Sequence, residues 1–185
     1  MNKFLYLAII LLLLFSCDKN DDGRAVSNEY LFYMEGRYVL KEMYSEEPLD
    51  LNFDNIYNTD LFEEMDCQVV YPLQLYDASV EYHESSDRLE IIFDVSNSQV
   101  YSESEPYQQC FVNQSLYYSK ILVDESTGDV SVITSGTPER EEEFGYLTGG
   151  HYNERKLHLN VDKILFTSEG WQTIPIHIVY EWNNP

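Results

Sequence analysis

Alternation of apolar and polar residues is the feature that most constrains the fold of this chain. Between Arg88 and Val95 the odd positions are apolar, whereas Arg88, Glu90 and Asp94 are charged. A period of two places one side of a strand in a core and the other in water. The same period recurs from Lys156 to Val161 and from Thr173 to Trp182. The sequence therefore predicts short, half-buried β-strands.

About nine such strands can be placed along the chain, separated by turn-forming residues such as Ser126–Gly128 and Gly149–Gly150. A helical turn is indicated only at Asp60 to Asp66, and the acidic run Glu139 to Glu143 is interpreted as a solvated loop. With so few helices for crossover connections, the sheet should be antiparallel. We expect an all-β fold, either an up-and-down β-barrel or a β-sandwich. The candidate strands are Arg37–Met43, Val69–Tyr76, Ser79–His83, Arg88–Val95, Leu116–Val123, Asp129–Thr134, Lys156–Val161, Lys163–Thr167 and Thr173–Trp182.

Charge excludes one class of partner. The chain has 185 residues, with 33 Asp and Glu against 11 Lys and Arg, and a net charge of −22. This length allows one folded domain. A strongly anionic surface repels phosphate backbones, so we expect no nucleic-acid partner.

The N-terminal segment has the pattern of an export signal. Lys3 supplies a positive charge, and Phe4 to Phe15 contains no charged residue. This stretch is shorter than the roughly 20 residues that a membrane-spanning helix needs. Ser16 and Cys17 follow it directly, and the polar run Asp18 to Asp22 comes next.

Leu14-Phe15-Ser16-Cys17 resembles a bacterial lipobox. The resemblance implies cleavage before Cys17, a diacylglycerol thioether on its sulfur and an acylated amino terminus. Acyl chains contribute about 0.8 kcal/mol per buried CH₂, so such an anchor holds a protein on the lipid bilayer. The alternatives are an ordinary signal peptide that is cleaved near Cys17, or an uncleaved N-terminal anchor helix.

The polar run after Cys17 indicates where the protein goes and how the chain is organised. Asp18 to Asp22 resembles the acidic export tag of Bacteroidota lipoproteins, and the alternative is a plain solvated tether. We expect a lipid-anchored outer-membrane protein that faces either the cell surface or the periplasm. The predicted organisation is a signal peptide at 1–16, a lipidated cysteine and flexible tether at 17–29, and a β domain at 30–185.

If Cys17 carries lipid, Cys67 and Cys110 are the remaining cysteines. An even pair in an exported domain is a disulfide candidate. Two buried free thiols or a metal pair are the alternatives, although no CxxC spacing supports zinc.

Two sequence segments resemble lipocalin-like domains of Bacteroidota lipoproteins. Gly36-Arg37-Tyr38 is similar to their Gly-x-Trp strand start, with Tyr in place of Trp, and Pro48 to Asp54 is similar to their Asp-Leu-Asn-x-Asp loop that precedes a Cys. Asn55 stands where that family usually has Gly. The resemblance implies an up-and-down lipocalin-like barrel that holds a small apolar or amphipathic ligand.

One loop has the spacing of a cation site. Asp50, Asn52, Asp54 and Asn58 occupy positions 1, 3, 5 and 9 of a calcium-loop pattern. Position 12, where calcium loops have a bidentate acid, is Leu61. The sequence predicts either a structural calcium site or an Asx-rich surface turn, and no other cofactor.

Catalytic motifs are absent from the sequence. It contains no Gly-x-Ser-x-Gly, HExxH, P-loop or GxGxxG motif, and its four histidines are scattered. We therefore expect a non-catalytic protein that binds a small apolar or amphipathic ligand. A surface accessory protein that binds glycans or proteins through exposed aromatic residues is the first alternative, and a hydrolase with an unrecognised site is the second.

Overall fold

Antiparallel strands build most of the molecule. The computed structural model describes residues 28–64, 77–84, 88–99, 110–136 and 138–183. The helices are α1 (Asn28–Met34), α2 (Leu61–Glu64) and α3 (Pro138–Phe144). The strands are β1 (Gly36–Leu49), β2 (Asn58–Asp60), β3 (Asp77–His83), β4 (Arg88–Gln99), β5 (Cys110–Val123), β6 (Asp129–Ser135), β7 (Gly145–Asn153), β8 (Lys156–Thr167) and β9 (Gly170–Trp182).

The strands close into a barrel. From β3 to β9 each strand pairs antiparallel with the next in sequence, and β1 pairs with β3 on one side and β9 on the other. The closing register runs from Tyr38 opposite Trp182 to Ser45 opposite Ile176. The short β2 is a ninth strand beside the end of β1, where Asp60 pairs with Tyr44. The predicted all-β, up-and-down antiparallel barrel is confirmed, and the sandwich alternative is set aside.

The predicted alternation decides which side chains face the barrel interior. On β4, Leu89, Ile91, Phe93 and Val95 are buried, and on β8 the alternate positions from Leu157 to Leu165 are buried. Removing apolar surface from water contributes about 25 cal/mol per Å² and drives the barrel to close around these residues.

The two ends of the barrel are closed differently. We call the end that carries α1 and the β7–β8 turn the lower end; the loop after β1, α3 and the β8–β9 turn form the upper end. At the lower end α1 buries Leu31 and Met34, and the Tyr38 hydroxyl donates to the Met34 carbonyl. The upper end therefore holds the predicted cation loop.

Three local predictions are wrong. Gly149–Gly150 lies within β7 rather than in a turn, because a Cβ on Gly150 would lie 2.1 Å from the His158 carbonyl oxygen and only glycine allows β8 this close. Lys156 to Thr167 is one continuous strand rather than two. Glu139 to Glu143 belongs to α3, whose N-terminus has Pro138 and early acids, both favourable there.

The remaining secondary-structure predictions have different outcomes. The helical turn near Asp60 to Asp66 is confirmed as α2. The candidate strand Val69–Tyr76 lies outside the described residues. Helix α1 was not predicted, because a short helix rich in aromatic residues has no clear apolar period.

Candidate functional sites

Large side chains fill the barrel interior. Tyr38, Phe93, Tyr117 and Tyr180 are at most 1% exposed. The Phe93 ring stacks on Tyr117 with centroids 5.0 Å apart, and it meets Tyr180 edge-on at 6.5 Å. At these described positions the inward side chains are packed against one another.

Lys163 is a buried cation within this interior. It continues the inward row of β8, is 0% exposed, and lies near the upper end. Its Nζ donates to the Tyr117 hydroxyl at 3.1 Å, and that hydroxyl donates to the Phe144 carbonyl at 3.2 Å. Burial lowers the pKa of Lys163 to about 7. The sequence carried a signal for this residue, since Lys163 falls on the apolar phase of its strand.

The predicted cation loop joins β1 to α2 through hydrogen bonds. Asp50 is buried, and its Oδ2 accepts the Asn55 N–H at 3.1 Å. Asn52 Oδ1 accepts the Asp54 N–H at 3.0 Å, and Asp54 Oδ1 accepts the Ile56 N–H at 2.7 Å. These are Asx turns. The loop therefore has the geometry of the Asx-rich turn that was the alternative to a calcium site, whether or not a cation binds.

The other predicted ligand, Asn58, is the first residue of β2, where it pairs with Leu49, the residue before Asp50. Its Oδ1 accepts the Asp60 N–H at 3.0 Å. The structure instead brings Glu64 of α2, which was not predicted as a ligand, beneath the loop, where Glu64 Oε2 accepts the Leu51 N–H at 2.9 Å. Burial, followed by the charges of Asp50 and Asp54, raises the pKa of Glu64. The contact depends on where α2 packs, so spacing along the loop could not show it.

An aromatic row crosses the upper end on the side of β8 and β9. The Phe53 ring lies 6.0 Å from that of Phe166, which lies 5.3 Å from that of Trp171. Trp171 is 49% exposed. Beside it, Gln172 Nε2 donates to Glu169 Oε2 at 2.9 Å. We name Phe53, Phe166 and Trp171 the upper aromatic row; its last member combines an exposed apolar ring with neighbouring hydrogen-bonding groups.

Aromatic residues at the lower end serve packing instead. Tyr30 and Tyr33 of α1 meet Tyr152 edge-on at 6.0 and 6.5 Å. The Arg155 guanidinium lies 4.9 Å from the Tyr33 ring centroid and 4.1 Å from that of Trp182. These contacts hold α1 against the barrel.

Two of the three cysteines predicted to be modified lie outside the described residues. Cys17, the lipidation candidate, and Cys67 are outside the described residues. Cys110 is the first residue of β5, where its backbone pairs with Gln99. The Cys67–Cys110 disulfide and the acylation of Cys17 stay predictions.

Across the described ranges, no helix has the length and apolarity needed to cross a membrane. In the same part of the chain, no three His, Cys, Asp or Glu side chains converge as metal ligands. A cation at the upper loop would therefore need backbone, amide or water oxygens in addition to carboxylates.

Comparison with known proteins assigns no family to the chain. No protein-family model, curated protein or solved structure matches it.

Proposed function

We propose that this protein is a non-catalytic envelope lipoprotein, anchored in the outer membrane through acylated Cys17, whose barrel binds glycans at its outer surface. The anchor rests on the lipobox-like sequence. The observation that supports surface binding is the packing of the described inward side chains. Because these side chains contact one another, the groups that a ligand can reach among the described residues lie on the exposed faces.

The upper aromatic row is the surface that we assign to the glycan. Sugar rings stack their C–H faces on aromatic side chains, while carboxylate and amide groups bond to their hydroxyls. The Trp171 ring packs against Phe166 on one side and is half exposed. Glu169 lies in the β8–β9 turn and Gln172 near the start of β9, so both are next to the exposed ring. The row lies at the end of the barrel opposite α1.

Intrinsic fluorescence tests this proposal, because Trp171 and Trp182 are the two tryptophans of the chain. In a Trp182→Phe variant, Trp171 is the single fluorescent tryptophan. Envelope and host polysaccharides can then be screened one by one, and we expect the polysaccharide that binds to shift the Trp171 emission to shorter wavelength. Trp171→Ala should abolish retention on the polysaccharide that gives the shift. Leu122→Ala is the matched control, since Leu122 is similarly exposed on β5. Equal retention of both variants would refute the assignment.

The anchor has its own test. Cys17→Ala should move the protein from the membrane fraction to the soluble fraction, and a variant that stays wholly in the membrane would contradict lipidation.

A small amphipathic ligand is the second candidate function, and Lys163 is the observation that favours it. A buried amine with the Tyr117 hydroxyl could pair with the carboxylate of such a ligand if α3 moved aside. Native mass spectrometry of the mature protein tests this, because a bound ligand would add a discrete mass that Lys163→Met removes. A bare mass in the wild type argues against it.

A further inference from the structure

Two acidic side chains are buried beneath the predicted cation loop at the upper end of the barrel. Asp50 is 5% exposed and Glu64 is 2% exposed. Asp50 follows β1 and Glu64 ends α2, and Glu64 Oε2 accepts the N–H of Leu51, the residue next to Asp50, at 2.9 Å. Two ionised carboxylates held together away from water are unfavourable unless a cation, a proton or hydrogen-bond donors compensate their charge.

Backbone donors satisfy only part of this pair. Glu64 Oε2 accepts the Leu51 N–H, and Asp50 Oδ2 accepts the Asn55 N–H. Asp50 Oδ1 is buried and has no hydrogen-bond partner among the described residues. Within the described part of the chain, the ion pairs include neither Asp50 nor Glu64. This carboxylate oxygen is therefore available to a ligand, because buried polar atoms are nearly always paired.

We propose that a calcium ion binds at this pair, ligated by Asp50 Oδ1 and the Glu64 carboxylate. Two carboxylates balance the charge of a divalent cation, and calcium accepts backbone carbonyls and waters for the rest of its shell. The site shares only Asp50 with the set predicted from spacing. Glu64 replaces the acid that the calcium-loop pattern lacks at Leu61.

The ion would connect two elements that are separate in sequence. It joins the end of β1 to α2, so it fixes the loop that contributes Phe53 to the upper aromatic row. The site itself does not depend on the proposed anchor or on glycan binding.

Thermal unfolding with matched salts tests the site. We expect calcium at a hundredfold excess over its Kd to raise the Tm of the whole protein by about 5–10 °C more than sodium chloride at equal ionic strength. Magnesium should do less, because it demands an octahedral shell and releases its waters reluctantly. Calorimetric titration of calcium alone into the chelator-treated protein should show one site.

The variants Asp50→Asn and Glu64→Gln should each remove the calcium-specific increment. Glu63→Gln is the matched control, because Glu63 is the exposed neighbour of Glu64 on α2 and changes the net charge equally. Far-UV circular dichroism establishes that each variant is folded, and the titration of the wild type decides the question if one is not.

Two results would overturn the proposal. One is a wild type that shows no heat of calcium binding and an equal Tm in the two matched salts. The other is an Asp50→Asn variant that keeps the full calcium increment.

Discussion

Replacing Lys163 with methionine should stabilise the protein at neutral pH. Burial lowers the pKa of this amine from its ordinary value of 10.5 to about 7. Each unit corresponds to about 1.36 kcal/mol, so at pH 7 the folded state carries a penalty of about 4 kcal/mol relative to the unfolded chain. Methionine removes that penalty and replaces the unbranched lysine side chain with an unbranched apolar one that is shorter by one heavy atom.

The gain is reduced by one lost hydrogen bond. The Tyr117 hydroxyl loses the donor Nζ, which contributes about 1 kcal/mol, but it still donates to the Phe144 carbonyl. We therefore expect Lys163→Met to raise the free energy of unfolding by about 3 kcal/mol at pH 7.

The pH dependence distinguishes this reasoning from simple core packing. Between pH 7 and 10.5 the unfolded chain binds a proton at Lys163 that the folded chain has released, so wild-type stability from this residue rises with pH. The methionine variant lacks that rise. Its advantage should be greatest at pH 7 and below, and should vanish or become a deficit of about 1 kcal/mol near pH 10.5.

Urea unfolding of both proteins at several pH values from 6 to 10.5 measures the difference. Lys156→Met is the control, because Lys156 is exposed on the same strand and its replacement should change stability by about 0.5 kcal/mol or less. A Lys163→Met protein that is less stable than the wild type at pH 7, or whose advantage does not change with pH, would refute the argument.

Two further predictions concern the backbone and the cysteines. Gly150→Ala should lower the free energy of unfolding by about 2–4 kcal/mol, because its Cβ would clash with the His158 carbonyl, and a loss below 0.5 kcal/mol in denaturant titrations would contradict this contact. Peptide mapping without reductant should recover Cys67 and Cys110 in one linked peptide, and reduction should lower stability by about 4 kcal/mol; finding both thiols free to react would exclude the bridge.

Alternation in the sequence was enough to predict an antiparallel all-β fold, because the interior rows of β4 and β8 follow the period of two. The choice of a barrel over a sandwich depended on the resemblance to lipocalin-like domains. It failed where close packing decides the structure. Gly149–Gly150 has the composition of a turn, yet the near approach of β8 to Gly150 keeps it in a strand. The acidic run of α3 resembles a solvated loop, although its last residue, Phe144, packs over Lys163.

The candidate sites show the same limit. The loop after β1 was found from its spacing, and its Asx turns are local. The Asp50–Glu64 pair forms through the packing of α2, and the Trp171–Phe166–Phe53 contacts join residues from two distant segments. Contacts of this kind depend on tertiary structure and leave no periodic trace in the sequence.

Pairing of β1 with β9 has a consequence for how this protein is made. β1 pairs with β2 and β3 on one side, and it gains its partner on the other side only when β9, the last described strand, is available. The closing contacts therefore span nearly the whole domain. Such long-range pairing slows folding and leaves β1 with an unpaired edge during synthesis. The barrel therefore cannot close until β9 has been synthesised, and this delay exposes the unpaired edge of β1 to aggregation.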